Sequence, residues 1–215
     1  MKIASQGWRF VVPAAAIGLV GLGLLRRPGA ALFGALIALL GLGFAAFCLY
    51  FFRDPERVPP ADPDKIYAPG DGVVLSAARE GEGDTVTLRI FLSIFNVHVQ
   101  RAPCAGSVLK VETIPGSFAA AMKHEARGNA RVVMTLDPGA GRKPLVVEQI
   151  AGLIARRIEC WAKPGDRVES GARYGIIYFG SQAAVRFPAG ARCTAKPGDR
   201  VAGGLTEIGE WTSTR

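Results

Sequence analysis

Two long apolar runs open the chain, and short alternating runs fill the rest. Residues 10–25 are apolar, with Pro13 near the start, Arg26-Arg27-Pro28-Gly29 interrupts, and residues 30–52 are uncharged throughout. A helix of about 20 apolar residues spans the hydrocarbon core of a bilayer, and the second run exceeds that length. The first run has the length of a signal-peptide core. A longer run follows it at once, so the pair reads as a membrane anchor of one or two helices, a transmembrane hairpin. Arg53-Asp54-Pro55-Glu56-Arg57-Val58-Pro59-Pro60 is polar and proline-rich. It cannot stay helical and marks the exit from the anchor. The expected division is an anchor over 1–52, a linker over 53–66 and a body over 67–215.

From Ile66 onward the pattern changes to short β-type runs bounded by Gly, Pro and Asp. Strands are expected at 72–76, 85–92, 97–101, 107–112, 131–136, 145–150, 155–159, 174–179 and 183–187, with one short helix at 118–126. So many short strands predict a mainly β body, a compact lipoyl-like barrel or sandwich with few helices. The stretch from Cys160 to Gly171 returns from Cys193 to Gly204, and Ala68-Pro69-Gly70-Asp71-Gly72-Val73-Val74 is a shorter echo. Each places Pro-Gly-Asp in a turn before a strand, where Pro presets φ, Gly accepts positive φ and Asp bonds nearby amides. The two long copies resemble the turns of lipoyl- and biotinyl-like barrels.

The chain carries 26 Lys and Arg against 18 Asp and Glu, a net charge of +8 over 215 residues. No Lys/Arg block interleaves with aromatics, so nucleic acid is not the expected partner. A basic body behind an apolar anchor fits an anionic membrane surface. Lys2, Arg9, Arg53 and Arg57 flank the hairpin, against Arg26 and Arg27 in its turn. That excess places both ends, and the body, on the cytoplasmic side of the cell's inner membrane. Cys48, Cys104, Cys160 and Cys193 are widely spaced without a C-x-x-C pair, so no metal site is expected and the thiols read as reduced.

There are two histidines. Alternation puts Asn96, His98 and Gln100 on one face of a strand and Phe95, Val97 and Val99 on the other. His124 falls on the expected short helix, a solvated position. Met122-Lys123-His124 is similar to the Met-Lys-Met turn of biotin carriers, but it lacks the second Met and is placed on a helix, so it is not read as a carrier site. Asp71 reads either as a turn cap, like Asp166 and Asp199, or as the acid that orients a histidine. The run Tyr174-Gly175-Ile176-Ile177-Tyr178-Phe179 climbs to Gly180-Ser181, where glycine leaves its own carbonyl uncrowded and serine sets a hydroxyl beside it. By itself a Gly-Ser step between strands is a turn.

Phe52-Arg53-Asp54-Pro55-Glu56-Arg57, Ala68-Pro69-Gly70-Asp71-Gly72, Asn96-Val97-His98-Val99-Gln100-Arg101-Ala102-Pro103 and Phe179-Gly180-Ser181 occur in that order. Together they resemble the short, membrane-associated phosphatidylserine decarboxylases over residues 52–187. The chain departs from the family pattern at Gln182, where many relatives carry Arg or Ser/Thr. Phe95 stands where longer forms carry another His, and the match to the family's Lys…Asn-Glu-Arg stretch is loose around 118–131.

The resemblance implies a proenzyme that cuts itself between Gly180 and Ser181, with His98, held by Asp71, taking the Ser181 proton. Ser181 would become a pyruvoyl group, the cofactor for decarboxylating phosphatidylserine to phosphatidylethanolamine. The two product chains would stay associated, and a homo-oligomer is compatible. Two other readings stand beside it. A membrane-tethered lipoyl-like adaptor leaves the Asp-Gly-Val and Val-His-Val segments without a purpose. A Ser-His-Asp hydrolase lacks the Gly-x-Ser-x-Gly elbow, because Gln182-Ala183 follows the serine.

Overall fold

The computed structural model describes residues 2–60, 62–80, 85–120, 124–153 and 156–212. These fall into two compact units, 1–56 and 57–215. In the first, α1 (Trp8–Leu24) follows a 3-10 turn at Ser5–Gly7, and α2 (Ala31–Phe51) returns alongside it. Helical stretches of 20 and 21 residues are each long and apolar enough to cross a membrane. Small residues face the partner helix. A Cβ added to Gly21 would collide with the backbone nitrogen of Ala38, and one on Gly41 with that of Gly18. This is the close backbone approach that membrane helices use in place of a hydrophobic driving force. Leu32, Leu39 and Leu40 point outward, 70–77% exposed, as a lipid-facing surface would. Short strands β1 (Lys2–Ile3) and β2 (Arg53–Asp54) pair the ends of the unit.

The second unit is mainly β. In chain order its strands are β3 (Lys65–Tyr67), β4 (Gly72–Arg79), β5 (Val86–Leu92), β6 (Val99–Arg101), β7 (Gly106–Ile114), β8 (Arg131–Asp137) and β9 (Leu145–Ile150). Then come β10 (Ile158–Cys160), β11 (Arg167–Val168), β12 (Arg173–Ile177), β13 (Ser181–Phe187), β14 (Ala191–Cys193), β15 (Arg200–Val201) and β16 (Glu207–Trp211). An eight-stranded antiparallel sheet runs β11-β7-β8-β9-β13-β5-β4-β15, and two three-stranded sheets run β10-β12-β6 and β14-β16-β3. Register shifts at Val74/Ser76 and Val108/Lys110 bulge β4 and β7, which bends strands and increases their twist. The sheet curls into a half-barrel around a core that includes Leu88, Ile90, Val147, Tyr174, Val185, Phe187, Ile208 and Trp211.

The strand orders are palindromic, and the repeat explains why. Arg167 and Val168 face Ser107 and Gly106 just as Arg200 and Val201 face Val73 and Gly72. The Gly165 N–H reaches Val108 O at 2.8 Å, and the Gly198 N–H reaches Val74 O at 2.9 Å. Tyr67 N donates to Pro103 O and Arg101 N to Pro69 O, both at 2.8 Å. The body is therefore two copies of one unit related by a quasi-twofold, and the copies are nested. Strands β6–β12 form one copy, inserted between β5 and β13 of the other. The counterpart of Ala68–Val74 is Ala102–Val108, not a third Pro-Gly-Asp turn. Asp166 and Asp199 cap their turns by accepting from Lys163 N and Lys196 N, each at 2.8 Å, and Asp71 does not share that role.

Three local expectations shift. The strand placed at 97–101 begins only at Val99, because Ser93 and Asn96 close a turn ahead of it: Asn96 N donates to Ser93 O and Ser93 N to the Asn96 side chain. Both faces of 97–101 are buried, so the polar face expected there is not solvated. The helix expected over 118–126 is reduced to a 3-10 turn at His124–Gly128, and Met122-Lys123 lies outside the described residues.

Candidate active site

Ser181 is the first residue of β13, hydrogen-bonded between β5 and β9. Its side chain points toward the core with Ala183, Val185 and Phe187, by strand alternation. It is fully buried, and its Oγ makes no hydrogen bond among the described residues. An orphaned buried hydroxyl costs on the order of 1–3 kcal/mol. Just before it the backbone is strained. Phe179 has φ 58° and Gly180 φ 88°. A bulky aromatic at positive φ is a true outlier, and such strain collects at reactive sites.

His98 lies against this step. Its Nε2 accepts the Gly180 N–H at 3.3 Å, and Nδ1 lies 3.0 Å from Asn96 O. A carbonyl only accepts, so the ring carries its proton on Nδ1 and its lone pair on Nε2. That lone pair is one peptide from the Ser181 hydroxyl. The ring is fully buried. His98 and Gly180-Ser181 lie on the two connections that join the nested copies, from β5 into β6 and from β12 into β13.

Asp71 stands elsewhere. Its two oxygens take the fork of Arg57 at 2.6 and 2.8 Å, and Oδ1 also accepts the Gly203 N–H at 2.8 Å. Arg57 donates on to Gly203 O at 2.7 Å. Gly180, Ser181 and His98 are thus brought together, while Asp71 is held by an arginine and not by the histidine. The bidentate guanidinium match captures both carboxylate oxygens, and Asn96 supplies the ring's other contact. Arg57 and Asn96 were legible only as members of quoted motifs, since nothing in their local pattern marks them.

Two more side chains organise the surroundings. Asn129 is fully buried. Its amide donates to Ala119 O and Ala151 O at 2.9 and 2.8 Å, and its Oδ1 accepts from Ala119 N and the Ser117 hydroxyl. It pins the segment after β7 to the end of β9. Across the outer face of the sheet, Arg89 holds Glu80 at 2.8 Å and reaches the Gln182 amide oxygen at 3.4 Å. Burial pushes the Glu80 carboxyl up, but hydrogen bonds from Arg89 and the charges of Arg89, Arg127 and Arg186 outweigh it, leaving the group below the usual range. Glu148, fully buried, pairs with Arg186 and lies 3.7 Å from Arg131.

Fold and site define a broad class: a β body behind two membrane-length helices, with a serine hydroxyl, a glycine carbonyl after a strained phenylalanine and a neutral histidine at one strand end. Comparison narrows it. The family profile described as phosphatidylserine decarboxylase matches residues 44–209. The chain is 42% identical over 212 residues to a phosphatidylserine decarboxylase proenzyme of Granulibacter bethesdensis, covering 94% of this chain and 83% of the relative. It is 41% identical to the proenzyme of that name from Gluconobacter oxydans, covering 93% and 90%, and 40% identical to that of Anaplasma phagocytophilum, covering 100% and 93%. The chain belongs to the phosphatidylserine decarboxylase family.

Proposed function

We propose that this chain is a proenzyme that cuts itself between Gly180 and Ser181 and then decarboxylates phosphatidylserine to phosphatidylethanolamine. One observation carries the reading. The unbonded Ser181 hydroxyl lies beside a glycine that follows the strained Phe179 and whose N–H rests on the lone pair of His98. His98 Nε2 takes the Ser181 proton, and Oγ attacks the Gly180 carbonyl carbon. The Oγ–C bond forms as the Gly180 C–N bond breaks, and the proton passes to the nitrogen. The resulting ester is lost by elimination: the Cα proton of residue 181 leaves, the Gly180 carboxylate departs, and the dehydroalanine takes up water and releases ammonia.

The residues fit a pyruvoyl group at 181, since the precursor hydroxyl is buried and unbonded and the neighbouring carbonyl belongs to a glycine. When present, that group supplies an electron sink next to an amide, through which a serine carboxylate is lost as CO2. The chain's own residues exclude water and hold the group. Gln182 is nearly buried on the sheet's outer face, and β13 stays bonded to two strands. The small product, residues 181–215, contributes Val185, Phe187, Ile208 and Trp211 to the core, which keeps the two chains together. The basic flanks of the anchor support a body on the cytoplasmic side of the inner membrane, facing its anionic lipids.

Intact mass and lipid assay test this together. The expected result is two chains, 1–180 and 181–215, the smaller blocked at its N-terminus, in protein that releases CO2 from phosphatidylserine. Lipid-active protein consisting of one full-length chain would overturn it.

A further inference from the structure

A cleft of about 230 Å³ opens beside β8, where the chain leaves β9 and enters β10. Arg131, Arg156 and Arg157 line it with Thr113, Ala130 and Ala151, and among the described residues no carboxylate lines it. Each arginine is held differently. Arg131 donates to Arg127 O at 2.7 Å and lies 3.7 Å from the buried Glu148 carboxylate, which does not line the cleft. Arg157 is paired with Glu159 at 2.9 Å and lies over the Tyr178 ring at 5.6 Å. Arg156 lies over Phe118 at 5.6 Å and pairs with no carboxylate among the described residues. Three guanidinium groups around one small cleft make an anion site, and their planar forks match phosphate oxygens.

The cleft lies at the same end of the sheet as the reactive step. Arg131 is paired with Ile150, and Ile150 with Gln182, so two strand spacings separate Arg131 from the residue after Ser181. That is roughly 10 Å between backbones, with Arg131 on the outer face beside Gln182 and the Ser181 side chain on the core face, so Arg131 borders this end of the sheet rather than the hydroxyl itself. Arg157 O accepts the Tyr178 N–H at 3.0 Å, just ahead of Gly180. Leu153, 60% exposed, precedes Arg156 by three residues in the chain, and Phe118, 38% exposed, lies under its guanidinium. Apolar side chains beside cations suit a lipid interface better than a free ion in water.

We propose that this cleft holds the phosphodiester of the lipid headgroup, with Arg156 and Arg157 as its chief ligands. The proposal rests on the decarboxylase reading above. The test uses the full chain in detergent, dihexanoyl phosphatidylserine as substrate and inorganic phosphate as a second probe. In the R156Q/R157Q double variant, self-cutting runs to completion, KM rises about tenfold for the loss of a charge-assisted contact, and kcat changes far less. Inorganic phosphate competes with substrate in the wild type and no longer does in the variant. The R156K/R157K pair, which keeps charge, recovers part of the KM.

An active wild type whose variant keeps its KM overturns the proposal. If phosphate inhibition is lost while KM stays put, the cleft takes free phosphate and the headgroup assignment is overturned. A wild type that does not decarboxylate the lipid fails at the earlier step, before the cleft is in question. Should the double variant fail to fold and cut, the single R156Q, whose side chain packs over Phe118 alone, carries the same comparison.

Discussion

Arg57 grips Asp71 by both carboxylate oxygens, at 2.6 and 2.8 Å, with the two side chains only 9% and 16% exposed. The pair ties the start of the body to the turn at Gly203. Removing one partner leaves the other charge buried without compensation, a loss of about 3–5 kcal/mol. Arg57→Ala, measured in an uncut Ser181→Ala background, should lose about that much in denaturant unfolding. Arg57→Ala and Asp71→Ala should slow self-cutting by similar factors, and the double variant little further, because the two act as a unit. An Asp71 effect far beyond that of Arg57 would instead favour direct contact with His98 during the reaction.

His98→Ala should slow cutting by roughly 10²–10⁴, the usual share of a positioned base. Ser181→Ala should abolish it outright, since no attacking oxygen remains. Both are read by gel and mass over days at constant temperature. His98→Ala protein cut at the wild-type rate would remove the ring from the mechanism.

Gly180→Ala separates space from backbone. A Cβ there would lie 3.4 Å from Ile94 Cγ2, tolerable contact, but φ is 88°. The cost is therefore conformational, of order 1–3 kcal/mol. The variant should relax this step, fold close to normally and cut at least tenfold more slowly. Circular dichroism and the cutting rate report the two effects separately.

Glu80 gives a pH signature. Its folded value lies below the ordinary carboxylate range, so its pairing with Arg89 stabilises the body above about pH 4.3, the unfolded value. That stabilisation is lost as pH falls through the lower folded value. Glu80→Gln should accordingly be less stable than wild type at pH 7, with the difference shrinking in acid. A constant difference from pH 7 to pH 3.5 would contradict the pairing.

Much of this was legible from local pattern. The anchor helices are continuous apolar runs, and strands such as Leu145–Ile150 emerge at the expected bounds because their alternation and flanking turns agree. The Gly180-Ser181 step and His98 stood out for their chemistry. What stayed hidden depends on distant partners. The repeat from Cys160 and Cys193 was visible, but its nesting was not, because the matching half of each copy, Ala68–Val74 and Ala102–Val108, shares little beyond Ala-Pro and Gly-x-Val. His98 lost its strand to the Asx-type turn at Ser93–Asn96, and Asp71 was taken by Arg57. Both outcomes rest on hydrogen bonds that no periodicity records.

The nesting also has a topological consequence. In the uncut chain the inserted copy is moored to its host at two points, one through His98 and one through Gly180-Ser181. The proposed cut would sever the second mooring and leave the first. Phe179 and Gly180 would then change from a closed loop to a chain end, with the positive φ angles at both no longer imposed, while Tyr178 stays bonded to Arg157 and β13 keeps its place between β5 and β9. On the proposed reading, the same cut that would create a new end at residue 181 would thereby clear the chain in front of it.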